Sequence, residues 1–235
     1  MEESSYVISK CQICDGGDLR SVAFLGFLPP VNQMRKIGTR PAEQPSYPAE
    51  MLHCPTCSLV QLSLVVNPKI LFPPEYPYTS GTTKILRDNF AELYQEAKTI
   101  VSLDGKTLAV DIGSNDGTLL SNFKAGGHPV RGVEPTLMAE LANSRDIPTL
   151  MAFFDHESAA RVVRENGRAR VVTATNVFAH IDRVHDVVDA VCSMLDDKGV
   201  FISESHYLHS LIETLQYDTI YHEHLRYYSL TALTY

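Results

Sequence analysis

The 235-residue sequence contains no run of 18 apolar residues, the length at which a helix begins to cross a bilayer. Positive charge is also short: 20 Lys and Arg against 28 Asp and Glu leave a formal net charge of -8. A polyanion partner needs a basic surface to neutralise its phosphates, so this balance argues against nucleic acid while leaving room for a small anionic ligand in a local pocket. The N-terminus, MEESSYVISK, is acidic and polar where an export signal is basic and then apolar. Internal repeats and low-complexity tracts are lacking. With 44% hydrophobic and 20% charged residues, these absences describe a soluble, cytoplasmic, globular chain without a membrane partner. Its length suits one large domain or a small module joined to a medium one.

Cysteine is scarce, five in all, yet four fall in two C-x2-C pairs, Cys11/Cys14 and Cys54/Cys57. A C-x2-C turn aims two thiolates at one point, and two such knuckles complete a tetrahedral four-sulfur site suited to Zn2+. A closed site of this kind is structural and does no chemistry. The competing readings are two disulfides, disfavoured in a reducing compartment, or a redox pair. His53 neighbours Cys54 but reads as a solvated side chain, since four thiolates already fill the shell. Cys192 lies in the apolar rhythm Val187, Val188, Val191, Met194, Leu195 and is expected to be a buried helix residue.

The chain divides by pattern. Residues 1–79 read as a zinc-binding module with strands in the apolar runs Ser21–Leu28 and Leu59–Val66. Pro68, Pro73, Pro74 and Pro77 crowd the stretch NPKILFPPEYPY, which reads as a junction without regular structure. Residues 80–235 read as a Rossmann-like domain. Leu86, Phe90, Leu93, Tyr94, Ala97, Ile100 and Val101 recur at helical spacing between Thr83 and Leu103. Strand-like runs then follow at Thr107–Ile112, Val130–Val133, Thr149–Phe153, Arg170–Thr175 and Gly199–Ser203, separated by helical stretches. The predicted fold class is therefore α/β, a parallel sheet with helices on both faces.

The first of these strands runs into DIGSNDG, with Asp111, Gly113, Asn115 and Gly117 as candidate ligand contacts. Glycines at a strand–helix turn let backbone approach a ligand at the C-terminal edge of the sheet. The spacing differs from the G-x-G-x-x-G pyrophosphate fingerprint and puts a carboxylate at the strand end. A diphosphate would be repelled there, while an amino group or a sulfonium would be attracted. Glu134, ending the second strand in RGVEP, is placed to accept from ribose hydroxyls. The two carboxylates together suit adenosine with a cationic amino-acid tail, S-adenosylmethionine. A nicotinamide domain with a degenerate loop is the alternative. After the third strand, Phe153, Phe154 and Asp155 either flank an adenine ring and accept from its amino group or are core and loop residues. Asn176 either contacts the cofactor or caps a following helix.

At this point a resemblance enters. The cysteine knuckles with LGFLPPVNQ between them, CPTCSLVQL, YPYTSG, DIGSNDG, GVEP, ATNVFAHI, GVFISES and DTIYHEHLRYYS, in this order, resemble the S-adenosylmethionine-dependent nucleotide-deoxysugar C-methyltransferases with an N-terminal zinc module. The family usually carries a further C-terminal Rossmann-like domain, and its sheet ends in an antiparallel hairpin. On that pattern this chain stops before the sheet is finished, with its fifth strand as an unpaired edge. GVFISESHYL also departs from the aspartate–proline continuation more usual in the family. The resemblance implies that His224 is the base removing a proton beside the ketone of a nucleotide-linked keto-sugar. Tyr221 and Glu223 would position the sugar or support the base, and His180 would be a second active-site histidine. Tyr76 and Tyr78 would close over the substrate. The bland alternative for Tyr221-His222-Glu223-His224 is a solvated polar loop, and a two-histidine metal site is a third. For the whole chain, methylation of another small acceptor and a non-catalytic zinc- and cofactor-binding role remain as rival readings.

Overall fold

The computed structural model describes residues 4–34, 37–39 and 43–235. The chain forms two compact units. One gathers Met1–Pro73, Ala179–Val184 and Ser205–Tyr235, and the other Pro74–Phe178 and His185–Glu204.

The first unit begins with β1 (Tyr6–Val7), β2 (Arg20–Leu28), β3 (Tyr47–His53), β4 (Val60–Leu62) and β5 (Leu64–Val65). β1 pairs antiparallel with β5, and β2, β3 and β4 form an antiparallel meander. β3 is the strand that periodicity conceals. Its inward residues Ala49 and Met51 alternate with Pro48 and Glu50, so no apolar run marks it. The proline-rich stretch also differs from expectation, because Pro68–Leu71 forms a short helix, α1. Pro68 opens its first turn, where a missing N–H costs nothing and φ is already helical. Asn67 caps it, its Oδ1 accepting from the Lys69 N–H at 2.9 Å.

The second unit is the parallel α/β layer. Helix α2 (Lys84–Ile100) buries Phe90, Tyr94 and Ala97, spaced four and three residues apart as one helical face requires. These pack with Leu119, Leu120 and Phe123 of α3 (Thr118–Ala125) and with Ala109, Val130 and Val171 of the sheet. The strands are β6 (Ala109–Ile112), β7 (Val130–Glu134), β8 (Thr149–Met151), β9 (Ala169–Thr175) and β10 (Leu195–Glu204), in the order β10-β9-β6-β7-β8. All neighbours run parallel. Helices α4 (Met138–Ser144), α5 (His156–Asn166) and α6 (Val184–Met194) complete the alternation. All four residues of β6 are buried, as expected of a central strand covered on both faces. Successive connections leave β6 in opposite directions, so the topological switch point lies at the carboxyl ends of β6 and β9. Cys192 corrects an expectation: it is exposed, because α6 buries Val184, Val187, Ala190, Val191 and Met194, a stripe that leaves position 192 on the outer face.

After β10 the chain returns to the first unit through α7 (Leu208–Glu213), β11 (Arg226–Tyr227) and α8 (Leu230–Leu233). β11 adds to the cysteine module's sheet by pairing antiparallel with β4, Arg226 opposite Gln61 and Tyr227 opposite Val60. The segment after β10 thus extends the N-terminal module, a pairing of two residues too short to show as a sequence pattern. No helix among the described residues is long and apolar enough to cross a membrane.

Candidate functional site

The four cysteines converge. Their sulfurs all lie within 4.8 Å of one another, with Cys11–Cys57 at 3.4 Å and Cys14–Cys54 at 3.5 Å. A disulfide requires about 2.05 Å, so these are free thiols. A tetrahedron with metal–sulfur bonds of about 2.3 Å has sulfur–sulfur edges of about 3.8 Å, which these separations bracket. The knuckles repeat one construction. The Asp15 N–H donates to the Cys11 carbonyl at 3.1 Å and the Ser58 N–H to the Cys54 carbonyl at 2.8 Å, with Asp15 and Ser58 both at positive φ. Burial pushes the Cys11 and Cys57 thiols up. At Cys54 burial acts in the same direction, but the Cys57 and Thr56 N–H groups and the neighbouring cysteines outweigh it and bring the thiol down to about 7. The donor set fits structural Zn2+, with no position left open for chemistry. His53 is outside the cluster.

In the second unit the DIGSNDG loop lies at the switch point. Asp111 is buried, and its Oδ1 accepts from the Thr173 hydroxyl at 2.6 Å. Burial, reinforced by the Glu134 charge, raises its carboxyl to about 7, and no cationic side chain pairs with it among the described residues. A buried carboxylate in this state favours a cationic ligand. Gly113 has φ +66°, and a Cβ there would fall 2.3 Å from Val177 Cγ2, so the loop conformation requires glycine. Glu134 is pre-oriented. Its Oε2 accepts from the Asn115 N–H at 3.0 Å, and its Oε1 from the Thr136 N–H at 3.0 Å and the Thr136 hydroxyl at 2.6 Å. One lone pair remains on Oε2 for a ligand hydroxyl. These residues fit an adenosyl sulfonium.

Other candidates in this unit are engaged differently. The Asn115 side chain accepts from the Ser80 N–H at 2.8 Å and donates to the Tyr78 carbonyl at 3.1 Å, and Asp116 accepts from the Gly81 N–H at 3.2 Å and from Arg145 at 2.8 Å. A strap over residues 78–81 is therefore tied to the loop, a feature the sequence reading did not foresee. Gly117 has φ +77° at the start of α3. Phe154 is buried and Phe153 half-buried. Asp155 caps α5, accepting from the Ser158 N–H at 2.8 Å, and the D-x-x-S spacing was a legible signal for it. Asn176 caps no helix. At φ +54° it donates through its backbone to the Glu204 carbonyl at 2.7 Å and through its side chain to Glu204 Oε1 at 3.3 Å, tying β9 to β10.

The first unit holds an aromatic cluster around His224. Its Nδ1 lies 2.7 Å from the Thr219 carbonyl, which can only accept, so Nδ1 carries the proton and Nε2 the lone pair. The ring is surrounded by Tyr221 at 4.1 Å, His206 at 4.5 Å and His180 at 4.9 Å between centroids, with Tyr227 edge-on at 6.2 Å. Phe72 stacks on His180 at 6.1 Å. Burial lowers His224 to about 4, the Thr219 carbonyl opposing and His206 adding to the shift. His180 is held well below the usual range by burial, then by His224, His206 and Arg226. The loop alternates its contacts. His222 is buried, its Nε2 3.2 Å from the Pro48 carbonyl, and the buried Glu223 accepts from Asn32 Nδ2 at 2.7 Å. His222 and His224 thus serve different neighbours, and among the described residues the four cysteines are the group of three or more side chains placed to hold a metal ion. Buried Arg226 fixes the loop's exit, donating to Tyr228 Oη at 2.8 Å, to Gln12 Oε1 at 2.6 Å and to the Ile181 carbonyl. The structure brings His180, Tyr221 and His224 together with His206, which the sequence reading did not single out. Tyr76 and Tyr78 belong to the other unit.

Residues 11–72 match a family model described as "Putative zinc binding domain", and residues 86–234 match a methyltransferase domain model. The chain is 30% identical over 234 residues to C-methyltransferase NovU of Streptomyces niveus, covering 99% of this chain and 56% of that protein. It therefore spans about half the length of this curated relative. A solved SAM-dependent methyltransferase from Archaeoglobus fulgidus shares the fold at 17% identity, with a TM-score of 0.50 over 63% of this chain and 65% of that one. With its parallel sheet, glycine-bearing switch-point loop and match over residues 86–234, the chain belongs to the methyltransferase domain family, joined to an N-terminal four-cysteine module of the zinc-binding kind.

Proposed function

We propose that this chain provides the cofactor loop and proton-abstracting base of a cytoplasmic S-adenosylmethionine-dependent C-methyltransferase. Its acceptor is the carbon beside the ketone of a nucleotide-linked keto-deoxysugar. The observation that carries the reading is the His224 tautomer: a half-buried imidazole with Nδ1–H bound to Thr219 holds a lone pair on Nε2. The similarity to a protein named as a C-methyltransferase supports carbon as the acceptor.

A carbon nucleophile requires a carbanion equivalent, and a ketone yields one when a base removes the adjacent proton. His224 Nε2 takes that proton, with its ring fixed by Thr219 and walled by Tyr221 and His180. Burial keeps the imidazole neutral at physiological pH, so no proton need leave it first. Glu223, held by Asn32, and Tyr221 position the sugar. Bound S-adenosylmethionine would supply an electrophilic methyl group on a sulfonium. Asp111 faces its cationic amino-acid tail, Glu134 accepts from the ribose and Phe154 flanks the adenine. The four cysteines hold Zn2+ and take no part in transfer.

The test is exchange of the sugar's acidic hydrogen with deuterated solvent, followed without the methyl donor. The parent chain should exchange it, and His224→Asn should exchange it about 10²–10⁴-fold more slowly. Equal rates in the two proteins would refute His224 as the base.

A further inference from the structure

His206 precedes α7 and is not required by any step above, yet it packs against the proposed base more closely than His180 does. Its ring centroid lies 4.5 Å from that of His224 and 5.0 Å from that of Tyr227. Its Nε2 is buried and has no hydrogen-bond partner among the described residues. The chain is pinned immediately after His206 by a bridge between Tyr207 and Tyr228 and by the Leu208 N–H donating to the Tyr228 carbonyl at 2.8 Å, which holds the imidazole against His224. A buried ring nitrogen without a partner is costly for a structural histidine, and a phenyl or leucyl group would fill the same space without that cost. Its presence here calls for a role that uses the nitrogen.

We propose that His206 is a positioning residue for His224: as the pH falls it takes up the cluster's first proton, and its charge then holds the packed His224 ring unprotonated and able to act as base further into the acid range. The proposal rests on the reading of His224 as base. Two imidazolium rings in contact repel strongly, so one proton in the cluster opposes the next. The groups facing His224 are Tyr221 and the Thr219 carbonyl from its own loop, Tyr227 from β11, His180 from the 179–184 segment and His206 from the segment before α7. Of the two other histidines, His180 lies nearest in influence to the buried Arg226 cation, which disfavours a proton there. At His206 burial also disfavours the proton, but no cation adds to that effect and the Arg226 backbone carbonyl beside its ring opposes it. The His206 charge in turn lowers His224.

Imidazole resonances of the full chain, followed by heteronuclear NMR against pH, test this without reference to turnover. In the parent, His206 should titrate at a higher pH than His224. In His206→Phe, which keeps the ring contact, His224 should titrate about one unit or more higher than in the parent. His206→Gln serves as a second variant should the Phe variant fold poorly, and the order of titration in the parent is decisive alone. If His224 titrates first, or at the same pH with and without His206, the proposal is overturned. The pH dependence of acceptor deuterium exchange then separates the two readings. If the acid limb of the profile rises with the His224 titration in His206→Phe, both stand. An NMR shift with an unmoved acid limb supports the coupling of the two rings but overturns His206's service to a base, because His224 is then not the base.

Discussion

Replacing Asp111 with Asn should stabilise the ligand-free protein and weaken its cofactor site at once. Asp111 is buried, and burial together with the Glu134 charge raises its carboxyl to about 7 from an ordinary 3.8. The folded state therefore holds the proton more tightly than the unfolded chain. This stabilising contribution is fully present below pH 3.8 and is lost as pH rises through about 7. Three units at 1.36 kcal/mol each make the loss roughly 4 kcal/mol at pH 8. Asn keeps an oxygen for the Thr173 hydroxyl and carries no charge, so Asp111→Asn should be more stable than the parent at pH 8 by about 2–4 kcal/mol, with the difference vanishing near pH 4. A sulfonium or ammonium beside Asp111 offsets the same cost, so S-adenosylmethionine should bind the parent better as the pH rises from 6 to 8. Near pH 6.5 it should release a proton into the buffer. Chemical denaturation at several pH values and calorimetry in buffers of different ionisation enthalpy measure both effects. A variant less stable than the parent at pH 8, with cofactor affinity flat from pH 6 to 8, would refute the argument.

Cys14→Ser should lose the metal and unfold the cysteine-bearing unit, since such modules draw their folding energy from it; elemental analysis should give one zinc per parent chain and none in the variant. Glu134→Ala removes the acceptor of the Asn115 and Thr136 N–H groups as well as that of the ribose. It should weaken S-adenosylmethionine by about 1–3 kcal/mol in calorimetry, and NAD should bind neither protein. Gly113→Ala puts a Cβ 2.3 Å from Val177 Cγ2 at a positive φ and should cost about 1–3 kcal/mol in denaturant titration, together with cofactor binding.

What the sequence reveals depends on how locally each feature is specified. The interior parallel strands β6, β7 and β9 are legible because strands covered on both faces are continuous apolar runs, and β6 is buried at every position. DIGSNDG is legible because Gly113 answers a local steric demand that only glycine meets. The paired cysteines are legible because a C-x2-C turn fixes its own geometry. β3 is not, since Pro48 and Glu50 interrupt its pattern, and β11 is not, because two residues carry no period and pair with β4 from more than 160 positions away. Asp155 and Asn176 show a subtler limit. Their positions after strands suit a ligand; the D-x-x-S spacing marks Asp155 as the cap of α5, but nothing local shows that Asn176 ties β9 to β10.

The histidine cluster follows from that long-range pairing. YHEH by itself cannot distinguish a solvated loop from a base, because the environment of His224 is supplied from elsewhere: Thr219 sets its tautomer, the 179–184 segment brings His180, and the segment before α7 brings His206. Arg226 holds two of these together, donating to the Ile181 carbonyl from within β11 while its own carbonyl sits beside His206. Its buried guanidinium also reaches Gln12, within the first zinc knuckle. The N-terminal cysteine module is thereby more than an appendage to the methyltransferase fold, since β4, on which β11 pairs, leads directly out of the knuckle at Cys54 and Cys57. Metal binding fixes that knuckle, the knuckle fixes β4, and β4 fixes the strand that follows His224. Loss of zinc should therefore disorder the imidazole cluster even though no cysteine touches it, and the His224 and His206 resonances should collapse together when the metal is removed. Sharp, separately titrating resonances in metal-free protein would break this chain of reasoning at the link between β4 and β11.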